Sequence, residues 1–231
     1  LSYIIHTTDR KIMQHYDILI ATPGAMMEAQ YVKSLVNTLA ECDKRGLTYK
    51  FINAYGSLVH HARELTCSGG EGMELNPDHK GPMGDKVTYN KIFWIDSDIS
   101  WEPWQFFKIY DSDYDVTTGA YLLADGITTS VHAWGNPGGI PKHEIMQMSE
   151  ITKVQSIGFG FVAMKSGVFE RLERPWFKHY LQDVQKMDGT TIQDSLGEDI
   201  SWCINAYKAG IDIMFDPTVL VKHMKKVPIS W

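Results

Sequence analysis

Two carboxylates one residue apart, Asp96 and Asp98, close the apolar run Ile92-Phe93-Trp94-Ile95. A run without polar alternation is buried on both faces, as in the middle of a parallel sheet. Burying either carboxylate without a partner would be costly, so the pair belongs where the strand ends at solvent. In open α/β sheets that C-terminal edge is where ligands bind. Two hard oxygen ligands there suit a divalent cation, which in turn can hold a diphosphate. The plainer reading is a solvated turn, with Ser100 capping a helix that opens at Glu102-Pro103. On these residues alone the two readings stand level. A second acidic pair, Glu198-Asp199, follows Gly197 and precedes Ile200, Cys203, Ile204 and Tyr207, an i, i+3, i+4, i+7 face closed by Gly210. That spacing puts both carboxylates at a helix N-terminus, where the dipole favours negative charge. Capping alone would also account for the pair. His223 comes at the end of a short strand over residues 218–222. A lone histidine is most often an ordinary polar residue.

These side chains need a frame, and the chain supplies one in order. Residues 16–22 form the first buried strand, ended by Pro23-Gly24. Val32, Leu35, Val36 and Leu39 share one helical face, with Gly46 where a C-cap is expected. Residues 48–54 read as a second strand, and Ser57 as the cap of a helix bearing Leu58, Val59, Ala62 and Leu65. Strand, helix, strand, helix, strand is the pattern of a parallel sheet with right-handed crossovers. Residues 68–90 and 125–150 lack periodicity, which in a compact domain predicts mobile or functional loops. After the Asp96 strand come a helix with Phe106, Phe107 and Tyr110, a strand over 115–123, and a strand over 156–164 through Gly158 and Gly160. Glycine inside a strand marks close approach of a ligand or another backbone. Tyr3-Ile4-Ile5 is a candidate edge strand, and Trp134 and Trp176 are either stacking faces for a ligand ring or ordinary packing.

Size and charge bound the remaining choices. The 231 residues suffice for one large or two small domains with a substantial core. Lys plus Arg total 22 against 28 Asp plus Glu, a net charge of −6 that argues against a partner such as nucleic acid or an anionic membrane. Cys42, Cys67 and Cys203 have no metal-ligand spacing and read as reduced core residues, which points to a cytoplasmic setting. No apolar run approaches the ~18 residues of a membrane span, and no signal peptide is legible. The opening Leu1, in place of Met, leaves room for a leader already removed.

Taken in order, several short markers share one resemblance. They are Ala21-Thr22-Pro23, Ser57-Leu58-Val59 running to Ala62-Arg63, Trp94-Ile95-Asp96-Ser97-Asp98-Ile99 and Gly119-Ala120-Tyr121. Later come Gly158-Phe159-Gly160-Phe161, Pro175-Trp176-Phe177, Glu198-Asp199 and His223. Together they resemble a GT-A glycosyltransferase, close to the family 2-like type of bacteria and phages, over most of residues 16–223. The resemblance implies an α/β GT-A fold, with a single mostly parallel central sheet and helices on both faces. It implies one domain over 1–231, with a nucleotide-sugar-binding half (1–110) and an acceptor-binding and catalytic half (111–231). The activity it implies is metal-dependent, hexosyltransferase-like transfer from a nucleotide-diphosphate sugar, UDP-type, to the hydroxyl of a glycan or other acceptor, with inversion. The setting would be the cytoplasm, that of a host cell if the source is a phage or virus.

The same resemblance assigns roles residue by residue. The metal set would be Asp96, Asp98 and His223: Asp98 would bind Mn²⁺ or Mg²⁺ directly, His223 would complete the protein ligands, and Asp96 would meet the ribose or a metal-bound water. Thr22, Pro23, Asn53 and Arg63, with Ser97, would line the donor side, Arg63 suiting a phosphate or a base edge. Asp199, or in its place Glu198, would be the general base, kept ionised by the helix N-terminus. Three positions depart from the family pattern: Glu64 after Ala62-Arg63, Asn53-Ala54-Tyr55 at the end of the second strand, and Leu122-Leu123-Ala124. They leave the nucleobase and the sugar open. The rival readings are a sugar-nucleotide nucleotidyltransferase, a haloacid-dehalogenase-type phosphatase and a non-catalytic carbohydrate-binding relative. The first would need a basic loop where Pro23-Gly24-Ala25-Met26-Met27-Glu28 stands, and the second an Asp-x-Asp on the first strand.

Overall fold

A computed structural model describes residues 13–69, 81–135, 138–185 and 189–225. The expected edge strand at Tyr3-Ile4-Ile5 lies outside them. Strand β1 (Gln14–Pro23) leads to helix α1 (Ala29–Arg45), β2 (Tyr49–Ala54) and α2 (Val59–Cys67). Then come β3 (Val87–Ile95), β4 (Ile99–Ser100), α3 (Pro103–Tyr110) and β5 (Val116–Ala120). Next follow β6 (Val131–His132), α4 (Lys142–Ile145), β7 (Thr152–Lys153), β8 (Ser156–Ile157) and β9 (Phe161–Lys165). The chain closes on β10 (Tyr180–Gln185), β11 (Thr191–Leu196), α5 (Glu198–Lys208), β12 (Ile213–Leu220) and β13 (Lys222–His223).

The main sheet has seven strands in the order β2-β1-β3-β9-β5-β12-β7. β1 pairs parallel with both β2 and β3, and β5 pairs parallel with β12. β9 runs antiparallel between β3 and β5, and β7 antiparallel on β12, so the sheet is mostly, not wholly, parallel. Alternation along the strands sorts side chains into two cores. Leu19 and Ala21, Ile92 and Trp94 join one core with Trp202, Cys203 and Ala206 of α5. Ile18 and Ile20, Phe93 and Ile95 join the other with Tyr31 of α1 and Phe106 of α3. Helices therefore cover both faces, as expected for this α/β class, and each core buries large aromatic groups: Trp94, Trp176 and Trp202 in the first, Phe93 and Phe106 in the second.

The helices are where expected, but their inward faces match only in part: Leu35 and Leu39 pack against the core and Ala62 is buried, while other expected members are not. On α1 the buried side chains are Tyr31, Ser34, Thr38 and Cys42, whereas Val32 and Val36 are exposed. Ser34 and Thr38 can turn inward because Trp101 satisfies them: its backbone N–H donates to Ser34 Oγ at 3.0 Å and its indole N–H to Thr38 Oγ1 at 2.9 Å. On α2, Leu58 and Val59 face out while Ala62, Arg63, Thr66 and Cys67 are buried. Ser57 does not cap α2, nor Ser100 α3: Ser100 lies in β4, and α3 starts with a reciprocal capping box between Glu102 and Gln105. Trp176 is fully buried and donates its indole N–H to Phe169 O at 3.1 Å, which removes it as a sugar-stacking face. Trp134 is half-exposed and packs on Tyr207. All three cysteines are buried and free.

The expected strand over 156–164 is two pieces, β8 and β9, with a turn at Gly158–Gly160. A Cβ at Gly158 would sit 2.3 Å from Tyr121 Oη, and one at Gly160 2.6 Å from Tyr121 Cε1. These glycines make room for the Tyr121 ring, rather than for a backbone or a ligand. Of the two expected loops, the described part of 68–90 ends in a 3-10 turn and the start of β3, and 125–150 carries β6 and α4. Among the described residues no helix is long and apolar enough to cross a membrane.

Candidate functional site

β3 brings its two aspartates to the C-terminal edge of the sheet, where a tight turn closes with the Ile99 N–H donating to Asp96 O at 3.0 Å. The short strand β4 then pairs antiparallel with β13, placing His223 opposite Ile99, and the Met224 N–H donates to Asp98 O at 2.8 Å. That ribbon carries a residue 125 positions away to the Asp98 carboxylate: His223 Nε2 lies 3.1 Å from Asp98 Oδ2. The other ring nitrogen, Nδ1, lies 2.8 Å from Leu122 O. A carbonyl only accepts, so Nδ1 donates to it, and Nε2 donates to the Asp98 carboxylate when it carries hydrogen as well. Lys225 Nζ reaches the same oxygen at 2.9 Å. Burial of Asp98 works against its charge, but the hydrogen bonds from His223 and Lys225 outweigh it and bring the carboxyl pKa down to about 2.

Asp96 turns the other way. Arg63 Nη2 donates to its Oδ1 at 3.0 Å and Oδ2 at 3.3 Å, while Arg63 Nε donates to Glu198 Oε1 at 3.2 Å. Arg63 is 3% exposed and Glu198 7%, so a buried guanidinium joins the end of β3 to the start of α5. Its ring neighbours are Phe159 and Trp94, with the guanidinium carbon 5.4 and 6.0 Å from their centroids. The sequence placed Arg63 on the donor side; in the structure its Nε and Nη2 are engaged by carboxylates. The N-cap of α5 is Gly197, with Glu198 and Asp199 in the first turn, so neither acidic side chain caps the helix. Asp199 is half-buried, and its carboxyl pKa is raised: burial comes first, the neighbouring Glu198 charge second. The helix N-terminus does not hold it low, contrary to the expectation.

Around these groups opens a cleft of about 450 Å³, lined among others by Pro23, Gly24, Tyr55, Val59, Ala62, Asp96, Ser97, Asp98, Tyr121, His223 and Lys225. Thr22 is fully buried and shares a 2.5 Å hydrogen bond with Tyr31, and Asn53 donates to Thr22 O and Gly24 O, pinning the Pro23-Gly24 turn. Thr22 and Asn53 thus shape the rim from behind. Glu64, one of the departures, accepts the Phe177 N–H at 2.8 Å. Tyr55 and Tyr121 line the cleft as well; the sequence marks them only as parts of Asn53-Ala54-Tyr55 and Gly119-Ala120-Tyr121, with no role. Tyr121 packs edge-on to His223 and accepts the Gly160 N–H at 3.2 Å. Lys225 follows His223 in a basic stretch, Lys222 to Lys225, that sequence reading passed over.

Among the described residues no three His, Cys, Asp or Glu side chains are gathered to hold a metal ion, so the expected trio is a pair, Asp98 and His223, with Asp96 apart. That pair, one carboxylate oxygen and one imidazole nitrogen converging on the cleft, is a donor set that Mn²⁺ accepts when other ligands complete the sphere. Near them the carboxylates of Asp96 and Glu198 are paired with Arg63, and that of Asp98 with Lys225.

No family model and no curated protein matches the chain. Among solved structures it is similar to A197 from STIV, at 15% identity over 95% of this chain and 98% of that one, with a TM-score of 0.49. It is also similar to GalNAc-T7, solved with UDP, GalNAc and Mn²⁺, at 12% identity over 95% of this chain, with a TM-score of 0.46. The match takes in 45% of that chain, so this protein spans under half its length.

Proposed function

We propose that the chain is a metal-dependent glycosyltransferase of the GT-A type, moving a sugar from a nucleotide-diphosphate donor to an acceptor hydroxyl with inversion. The observation that carries the reading is the meeting of Asp98 and His223 at the end of β3, in a cleft that Asp96 also lines, with Arg63 tying Asp96 to Glu198 at the start of α5. Residues 1–110 would supply the nucleotide-sugar side and 111–231 the acceptor side. Asp98 Oδ2 and His223 Nε2 would hold Mn²⁺ or Mg²⁺, which when bound supplies positive charge to the departing diphosphate. Lys225, on Asp98 in this structure, would move to a phosphate oxygen when the cation takes its place. Asp96, held by Arg63, would accept from a ribose hydroxyl or a metal-bound water, with Ser97, Pro23 and the Asn53-pinned turn shaping the donor side. Asp199 would take the acceptor proton. Its raised pKa makes it a stronger base than an exposed aspartate.

Glu198, the alternative base, is committed to Arg63 at 3.2 Å, which favours Asp199 in that role. The phosphatase reading needs Asp96 free to attack, and both its oxygens face Arg63 instead. The direct experiment is incubation of the purified protein with a panel of nucleotide sugars and Mn²⁺, following release of the nucleoside diphosphate. Metal-dependent release from at least one donor, lost in Asp98→Ala, is expected. No release from any donor, or release that Asp98→Ala leaves unchanged, would defeat the proposal.

A further inference from the structure

A contact between two histidines lies outside the cleft and has its own geometry. His60 stands in the first turn of α2, and His179 directly precedes β10. Their rings meet edge to face, perpendicular, with His60 Nδ1 2.9 Å from His179 Nε2. The other nitrogen of His179, Nδ1, lies 3.0 Å from Leu196 O, at the end of β11. Since a carbonyl only accepts, His179 Nδ1 carries hydrogen and its Nε2 presents a lone pair toward His60. That is the arrangement found behind metal-binding histidines, where a backbone carbonyl fixes the tautomer and raises the basicity of the ligating nitrogen. The two nitrogens border an open cavity of about 460 Å³, which Glu64 and His61 also line.

The geometry points to a two-histidine site for a divalent transition-metal ion, separate from Asp98 and His223. Without an ion, the His60 Nδ1–H donates to His179 Nε2 at 2.9 Å, an ordinary hydrogen-bond length. Binding would release that proton and turn the two rings slightly, so that both lone pairs meet at the ion about 2.05 Å from each nitrogen. Imidazole nitrogens suit Cu²⁺, Ni²⁺ and Zn²⁺ alike, with Cu²⁺ first in intrinsic affinity. Water would fill the remaining positions, as no third His, Cys, Asp or Glu among the described residues completes a set. The ion would clamp α2 to the base of the β10–β11 hairpin, one residue before Gly197 and the acidic start of α5. The inference is independent of sugar transfer.

Cu²⁺ is the probe, followed by electron paramagnetic resonance and by calorimetric titration of the full chain in the His223→Ala background, which removes the cleft pair. One bound Cu²⁺ with hyperfine splitting from two nitrogens is expected. His60→Ala and His179→Ala should each weaken binding by at least about tenfold, the low end of what even supporting residues of a metal site contribute. His60→Gln separates the metal from the hydrogen bond: its amide can still donate to His179 but offers no imidazole, so it should behave like His60→Ala. Both histidines sit at the surface, and circular dichroism without metal should be unchanged in all three variants. Cu²⁺ affinity that survives in any one of them, or a His223→Ala spectrum with fewer than two nitrogens, would overturn the site.

Discussion

At the scale of single residues, Asp199 tests whether the cleft does chemistry or only binds. Its carboxyl is half-buried beside Glu198, and both burial and that neighbour push its pKa up. The direction has a consequence for stability. Between the unfolded value, about 3.9, and the raised native one, the folded chain holds the proton that the unfolded chain has released. Stability from this group therefore falls as pH rises through that window, and ionised Asp199 costs stability at neutral pH. Asp199→Asn removes that cost and keeps the side chain's size, so the melting temperature at pH 7 should stay level or rise. Sugar transfer should fall by about 10²–10⁴, the usual loss of a general base. Donor and metal binding should be unchanged. A variant that transfers as fast as wild type would take the base away from Asp199, and Glu198→Gln is the matching control. In the wild type, the acid limb of the rate profile should lie above the pH at which an exposed aspartate titrates. A limb near 3.9 would contradict the burial seen here.

At the scale of elements, α2 is the part that the sequence underdescribed. Pattern reading counts apolar residues, and it selected Leu58, Val59, Ala62 and Leu65 as the inward face. The structure buries Arg63, because its partners Asp96 and Glu198 come from the ends of two other elements, 33 and 135 residues away. The same holds for Ser34 and Thr38 on α1, whose partner is Trp101. Polar groups with distant partners are invisible to local periodicity, so the expected helix faces hold only in part: Leu35, Leu39 and Ala62 do pack inward, whereas the polar groups beside them are unforeseen. The strands are not all legible either, since 156–164 is broken in two and the β10–β11 hairpin carries no apolar run. β3 was legible for the opposite reason: burial on both faces leaves no alternation to misread. Arg63 also makes a stability prediction. Arg63→Ala leaves Glu198 buried and unpaired, and breaking such a pair costs about 3–5 kcal/mol. Arg63→Lys should recover only part of this, since one ammonium cannot span two carboxylates as the guanidinium fork does. Denaturant unfolding of the two variants would test it; equal stability of Arg63→Ala and wild type would mean that the bridge is decorative. Arg63→Ala should also reduce donor binding, because Asp96 loses the group that aims it.

At the scale of the whole molecule, the two proposed halves are separable by role but not by structure. The strand order sets β9, from the second half, between β3 and β5. β3 is apolar on both faces, and without β9 its Ile92–Ile95 segment would be an open edge that invites pairing with other chains. Both cores also draw on both halves: Trp94 packs with Phe159 and Phe177, and Phe93 with Phe161. His223 reaches Asp98 along the β4–β13 ribbon, so the pair proposed to hold the metal is shared between halves as well. A chain built this way should unfold as one cooperative unit, within the size range of a single core. The expected outcome is coincident melting by tryptophan fluorescence and far-UV circular dichroism, with Trp94, Trp176 and Trp202 reporting from a core that both halves share. A fragment of residues 1–110 should be unfolded or aggregated. Two resolved transitions, or a fragment with a native-like spectrum, would show instead that the nucleotide-sugar half is a domain in its own right. The Asp98–His223 pair would then be a contact between domains, and removing His223 should loosen their docking as well as weaken metal binding.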